Sequence, residues 1–169
     1  MVRSIWVMLL SLGLLQGYDP SSLEINAKVF SKLLLLDMNL SEQRRKGGVV
    51  ILYDETEERS AKILQADLLR HNNDFPVTLM DYKIFRPKPA VGYFLLASAD
   101  HKSIRNVAEA GIEKGVITYA VNPLYLKEGI MLSLRMEQKV YPELNPEAIR
   151  SAGIQFQPIL FRIAKQYQP

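Results

Sequence analysis

Four strand-like runs dominated by apolar residues do most to restrict the folds open to this chain: Val49 to Tyr53, Pro76 to Met80, Val91 to Leu96 and Val116 to Val121. None alternates regularly with polar residues. Each therefore has the pattern of a strand covered on both faces, as in the centre of a parallel sheet, and not of a half-solvated antiparallel one. The segments between them carry helical spacing. Thr56 to His71 places Ala61, Ile63, Leu64, Leu68 and Leu69 inward, with Glu55, Glu57 and Glu58 near its positive end. His101 to Lys114 places Ile104, Val107, Ala108, Ala110 and Gly111 on a closely packing face, with Asp100 as its cap and Gly115 as its stop. Strand and helix in alternation predict right-handed crossovers in a mostly parallel sheet with helices on both faces.

The C-terminal third departs from that alternation. Ile130, Leu132 and Leu134 present one apolar side of a strand, Glu137-Gln138-Lys139 reads as a turn, and Val140 to Leu144 returns as a second strand, so a β-hairpin is expected. A helix follows at once. Asn145 is positioned to cap it, Pro146 suits its first turn, Glu147 favours its positive end and Gly153 ends it. If Asn145 acts only as an acceptor, aspartate should serve equally well there. From Ile154 to Ala164 helical spacing resumes, with Ile159, Leu160, Ile163 and Ala164 expected as a buried stripe. The fold class predicted is thus α/β: a three-layer sandwich with a central sheet of about six strands flanked by helices, closed by a C-terminal hairpin and two short helices.

At the other end, Ile25, Val29, Phe30, Leu33, Leu34 and Leu36 form a broad helical face from Leu23 to Leu36, with Ser22 as a candidate N-cap. Before it, Arg3 precedes an apolar run from Ile5 to Leu15, short for a bilayer span and followed by Gly17 and polar residues. That is a signal-peptide pattern with cleavage near Gly17, the alternative being a retained anchor. The expected organisation is a signal peptide over residues 1 to 17, a single domain over 18 to 169, and a periplasmic location. The 169 residues contain no cysteine, which excludes disulfides, a thiol nucleophile and thiolate metal sites. A formal charge of +3 without a basic run interleaved with aromatics speaks against nucleic acid, and Arg44-Arg45-Lys46 reads as a solvated loop.

The ending resembles the YfiR family of small periplasmic proteins. The residues that carry the resemblance are Gly129-Ile130-Met131 leading into the hairpin, then Asn145, Ala148, Ala152 and Gly153, then Leu160, Ile163 and Ala164. The likeness spans residues 24 to 166 by length and order of elements, although Leu35-Leu36-Asp37-Met38-Asn39 stands where the family carries an aromatic and proline-bearing segment. It implies a regulator that binds and inhibits the periplasmic sensor region of an inner-membrane signalling protein. A diguanylate cyclase is the implied target, so that cyclic-di-GMP and biofilm formation fall, with an outer-membrane lipoprotein relieving the block.

Catalytic apparatus is not legible. His71 and His101 lack ligand-spaced companions, and the phosphate-binding and nucleophile-elbow motifs are missing, so no enzyme, metal or cofactor is expected. Two surfaces remain. The carboxyl ends of the strands carry Asp54, Glu55, Asp81, Tyr82, Ser98, Asp100 and Asn122, each explicable as a turn former or cap, and together a crevice for a small ligand. The hairpin carries Met131, Met136, Arg135, Lys139 and Tyr141, which would suit a protein partner if exposed, a second copy of the chain included. The first surface favours a small-molecule receptor serving a transporter or histidine kinase, the second a stoichiometric regulator.

Overall fold

The computed structural model describes residues 18–72, 74–96 and 100–168. The expected signal peptide and Ser98 lie outside them. The seven strands, β1 (Val49–Tyr53), β2 (Val77–Asp81), β3 (Gly92–Leu95), β4 (Ile117–Ala120), β5 (Leu132–Met136), β6 (Val140–Leu144) and β7 (Lys165–Gln166), form one sheet in the order β2-β1-β3-β4-β5-β6-β7. All neighbours are parallel except the β5–β6 hairpin. The predicted α/β sandwich is therefore the fold, with β7 added. Its two residues carry no apolar signal.

Helices α1 (Pro20–Leu34), α3 (Glu58–His71), α5 (Pro146–Ser151) and α6 (Pro158–Ile163) share a core with one face of the sheet, where Phe30 packs edge-on against Phe94 at 5.1 Å. The opposite face is covered by α4 (His101–Lys114) and the 3-10 turn Pro123–Glu128, around Val50, Leu52, Tyr93 and Leu95. These central strand residues are buried on both sides, as their continuous apolar pattern requires. The polar interior is tied down in one place by Tyr119, whose hydroxyl donates to Oδ1 of Asn26 at 2.6 Å.

Several local expectations are corrected. The cap of α1 is Asp19, which accepts from the Ser22 amide, with Pro20 opening the helix; Ser22 itself is inside it. Ile25 and Leu69 are exposed, since their faces point away from the sheet. Arg44 is not in a solvated loop. It lies in α2 (Glu42–Gly47), buried, and its guanidinium meets Asp37 Oδ2 at 2.8 Å in a charge contact while donating to the carbonyls of Ala90 and Val91. Ile130 joins the α4-side core and Met131 the other, because the strand proper starts only at Leu132. No helix of the described residues is long and apolar enough to cross a membrane.

Candidate functional site

The chain leaves β1 through α3 toward β2 and leaves β3 through α4 toward β4, so the two adjacent strands β1 and β3 send their connections to opposite sides. The carboxyl ends of such a pair form the usual crevice of an open α/β sheet. Of the residues predicted there, Asp54, Glu55, Asp81, Asp100 and Asn122 are gathered near those ends, and each of these is engaged locally. Asp54 caps the turn after β1 by accepting from the Thr56 amide at 2.8 Å. Glu55 is exposed and pairs with Lys83 at 2.7 Å. Asp81 accepts from the Lys83 amide, Asp100 caps α4 through the Ser103 amide at 2.9 Å, and Asn122 accepts from the Leu124 amide. Two hydrogen bonds from Ser103 keep the Asp100 carboxyl below its ordinary range.

A different group occupies the crevice floor. Glu57 is buried, accepts from the Asp54 amide and receives the Tyr18 hydroxyl at 3.1 Å. Tyr82 donates to the Leu96 carbonyl at 2.7 Å, and burial of its hydroxyl, with Glu57 nearby, pushes its ionisation well upward although the ring is half-buried overall. Burial raises Tyr125 as well, against a lowering hydrogen bond from Asn122. The signal available for Glu57 was the Asp54-x-x-Glu57 spacing of a capping box, a structural motif that the fold realises.

The second surface is a groove on the α1 side of the sheet, at the edge formed by the hairpin. Its walls are the second half of α1, with Val29, Lys32 and Leu33, continued by Leu36 in the turn after the helix, and α6, with Ile159 and Ile163 one turn apart. The floor is Leu134, Val140 and Pro142 of the hairpin, and the space enclosed is about 330 Å³. Both ends of α6 are fixed. Before it, Met38 donates its amide to the Gln155 carbonyl and Gln157 its amide to Leu36; after it, Tyr167 donates to the Leu144 carbonyl as β7 joins β6. The apolar stripe expected for α6 is thus only partly buried: Leu160 enters the core, while Ile159 and Ile163 stay 38% and 52% exposed.

Hairpin register sorts the remaining predicted residues. Leu134 faces Pro142 and Met136 faces Val140, so these lie on the groove side, whereas Arg135 faces Tyr141 on the α4 side. Arg135 is bound to Glu143 at 2.8 Å and to Glu137 at 3.4 Å, and Tyr141 lies beneath the Lys165 ammonium, 4.2 Å from its ring centroid. Lys139 is exposed in the turn. Met131 is fully buried and cannot be the exposed contact expected of it, since its amide is drawn in by Thr118 Oγ1 at 3.0 Å. Gly129 and Gly153 adopt positive φ, Pro146 opens α5, and Asn145 caps it through the Ala148 amide. Asn145 also donates through Nδ2 to the Leu126 carbonyl, a second role not legible from the motif. Ala148 is buried against the core.

No protein-family model matches the chain, and no curated protein does. Among solved structures it is similar to a conserved domain protein from Vibrio cholerae O1 biovar El Tor, with a TM-score of 0.60 at 10% identity over 84% of this chain and 60% of that one. It is similar also to the ABC domain solved in complex with L-Trp from Streptococcus pneumoniae, with a TM-score of 0.58 at 8% identity over 86% of this chain and 61% of that one. The chain spans about three-fifths of the length of either structure. At these identities the likeness is one of fold.

Proposed function

We propose that this chain is a periplasmic regulatory protein that acts by stoichiometric binding to the sensor region of an inner-membrane signalling protein. A diguanylate cyclase is the target class that the resemblance of its C-terminal segment to the YfiR family implies, with an outer-membrane lipoprotein as the relieving partner. The observation that carries the reading is the groove between α1 and α6. It leaves Val140, Ile159 and Ile163 in contact with water on a rigidly anchored surface, the arrangement of a protein contact and not of a core. The test is co-expression of the full chain with a candidate cyclase, reading complex formation and cellular cyclic-di-GMP. Binding with a fall in cyclic-di-GMP, both lost in Ile163→Asp at an unchanged melt, is expected. A wild-type chain that neither binds nor alters cyclic-di-GMP sinks the reading.

The buried Glu57 and the tyrosines around it favour a second reading, a small-molecule receptor using the strand-end crevice. Because one structural neighbour was solved with L-Trp, aromatic amino acids are the natural first probes. A ligand-induced rise in melting temperature that Tyr82→Phe abolishes would support it; no rise with any probe would remove it.

A further inference from the structure

The charged residues on the two helical walls of the groove are of one sign. Lys32 lines it, Lys28 lies one turn earlier on α1 and Arg162 follows Phe161 on α6, all three exposed. From Ile25 to Leu36, and again from Gln155 to Gln168, the sequence has no acidic residue. The carboxylates nearest in sequence to the lining residues are already engaged: Asp37 with Arg44, and Glu137 and Glu143 with Arg135. A second copy of the chain would set these cations against each other.

The shape restricts the occupant further. From Val29 to Leu36 the wall made by α1 and the turn after it spans about 10 Å, roughly two turns of helix. Leu134, Val140 and Pro142 on the floor belong to strands paired with each other, so the face offers side chains and no open backbone edge there. An extended segment laid in the groove would leave its own amides and carbonyls unpaired against apolar walls, whereas a helix satisfies them internally. We propose that the groove receives an acidic amphipathic helix, with about two turns of its aliphatic face seated between α1 and α6 and its flanking carboxylates set against Lys28, Lys32 and Arg162. This rests on the protein-binding reading above and names the chemistry of the segment bound.

The experiment uses the full chain and two labelled helical peptides of about 14 residues, each with leucines at i, i+4 and i+7, one flanked by glutamates and the other by lysines. Fluorescence anisotropy at low salt should show the acidic peptide binding roughly tenfold more tightly or better, with the difference shrinking as salt rises. Lys32→Glu, at an exposed site that leaves the fold intact, should reverse the order, and Val140→Asp should weaken both. Equal binding of the two peptides, binding of neither, or displacement by dodecanoate with no peptide preference overturns the proposal. If the peptides are indistinguishable but the chain still binds a cyclase, only this inference fails. If the acidic peptide is preferred and no sensor region binds, the regulatory reading fails while the groove's preference stands.

Discussion

Tyr119 and Asn26, separated by 93 positions in the chain, meet at zero exposure through a hydroxyl-to-carbonyl hydrogen bond of 2.6 Å that fastens α1 to the centre of the sheet. Asn26 also donates to the Ser22 carbonyl within α1. Removing the hydroxyl in Tyr119→Phe leaves Oδ1 of Asn26 without its donor in a dry site, which costs about 1–3 kcal/mol. Combining it with Asn26→Leu removes both polar partners, so the double variant should lose less than the two singles added together. Denaturant unfolding of the three variants checks this, and strict additivity would mean that the bond contributes nothing.

Asn145 is a cap and a tether at once. An aspartate there keeps the acceptor for the Ala148 amide but turns a donor into a carboxylate oxygen facing the Leu126 carbonyl. The expectation that aspartate would be silent is therefore replaced. Asn145→Asp should cost about 1 kcal/mol or more, no less than Asn145→Ala, because the regained cap is offset by the lost tether. A wild-type melt for Asn145→Asp would show that the Nδ2 bond is dispensable.

Order of elements, the buried strands and the helix caps at Asp100 and Asn145 were legible because each depends on residues close in sequence. What was not legible depends on where elements meet. Arg44 looked solvated because its partners, Asp37 and the carbonyls of Ala90 and Val91, come from either side of it in the chain. Ile159 and Ile163 have the spacing of a core stripe, yet α6 lies at the rim of the sheet, with nothing described beyond it to cover them. Asp54, Asp100 and Asn122 take the turn and cap roles that their positions suggested, whereas Glu57, read only as a helix-terminal charge, is buried.

Glu128 ties the turn after β4 to α4, with Oε2 receiving Arg105 at 2.6 Å and Oε1 3.0 Å from His101 Nδ1. The Arg105 hydrogen bond chiefly holds its carboxyl below the ordinary value of 4.5. A depressed folded-state value means that the carboxylate stabilises the fold above pH 4.5, and that this stabilisation is lost as pH falls from there through the folded value. Wild type should therefore exceed Glu128→Gln in stability at pH 7, with the gap closing below pH 4.5. Melts across pH 3 to 7 measure it, and a gap independent of pH would assign the loss to packing.

Gly111 in α4 faces Thr118 of β4, and a Cβ placed on it would lie 2.4 Å from Thr118 Cγ2 and 3.0 Å from the Val116 carbonyl oxygen. Alanine improves helix propensity by about 1 kcal/mol, but overpacking a fixed helix-to-sheet contact costs about 1–3 kcal/mol. The clash should prevail, since Thr118 Oγ1 accepts the Met131 amide at 3.0 Å and its side chain cannot swing away freely. Gly111→Ala is expected to lower stability, and Gly111→Ala with Thr118→Ser to recover part of it. A stabilised single variant would show that α4 can move off the sheet at little cost.

The two faces of the hairpin make opposite predictions. On the α4 side, Arg135 is flanked by Glu137 and Glu143, so Arg135→Glu gathers three carboxylates and should lower stability by about 1 kcal/mol, a modest figure because the site is partly solvated. On the groove side, Val140 is 51% exposed, so Val140→Asp should leave the melt nearly unchanged. Binding should divide the other way. A partner that seats an apolar helix in the groove loses its central contact in Val140→Asp, whereas Lys139→Glu and Tyr141→Ala, on the turn and the far face, should change affinity little. Melting and binding to the sensor region of a candidate partner, measured on the same four proteins, separate folding from recognition. Retained binding in Val140→Asp together with loss in Lys139→Glu or Tyr141→Ala would transfer the contact to the α4 side of the hairpin.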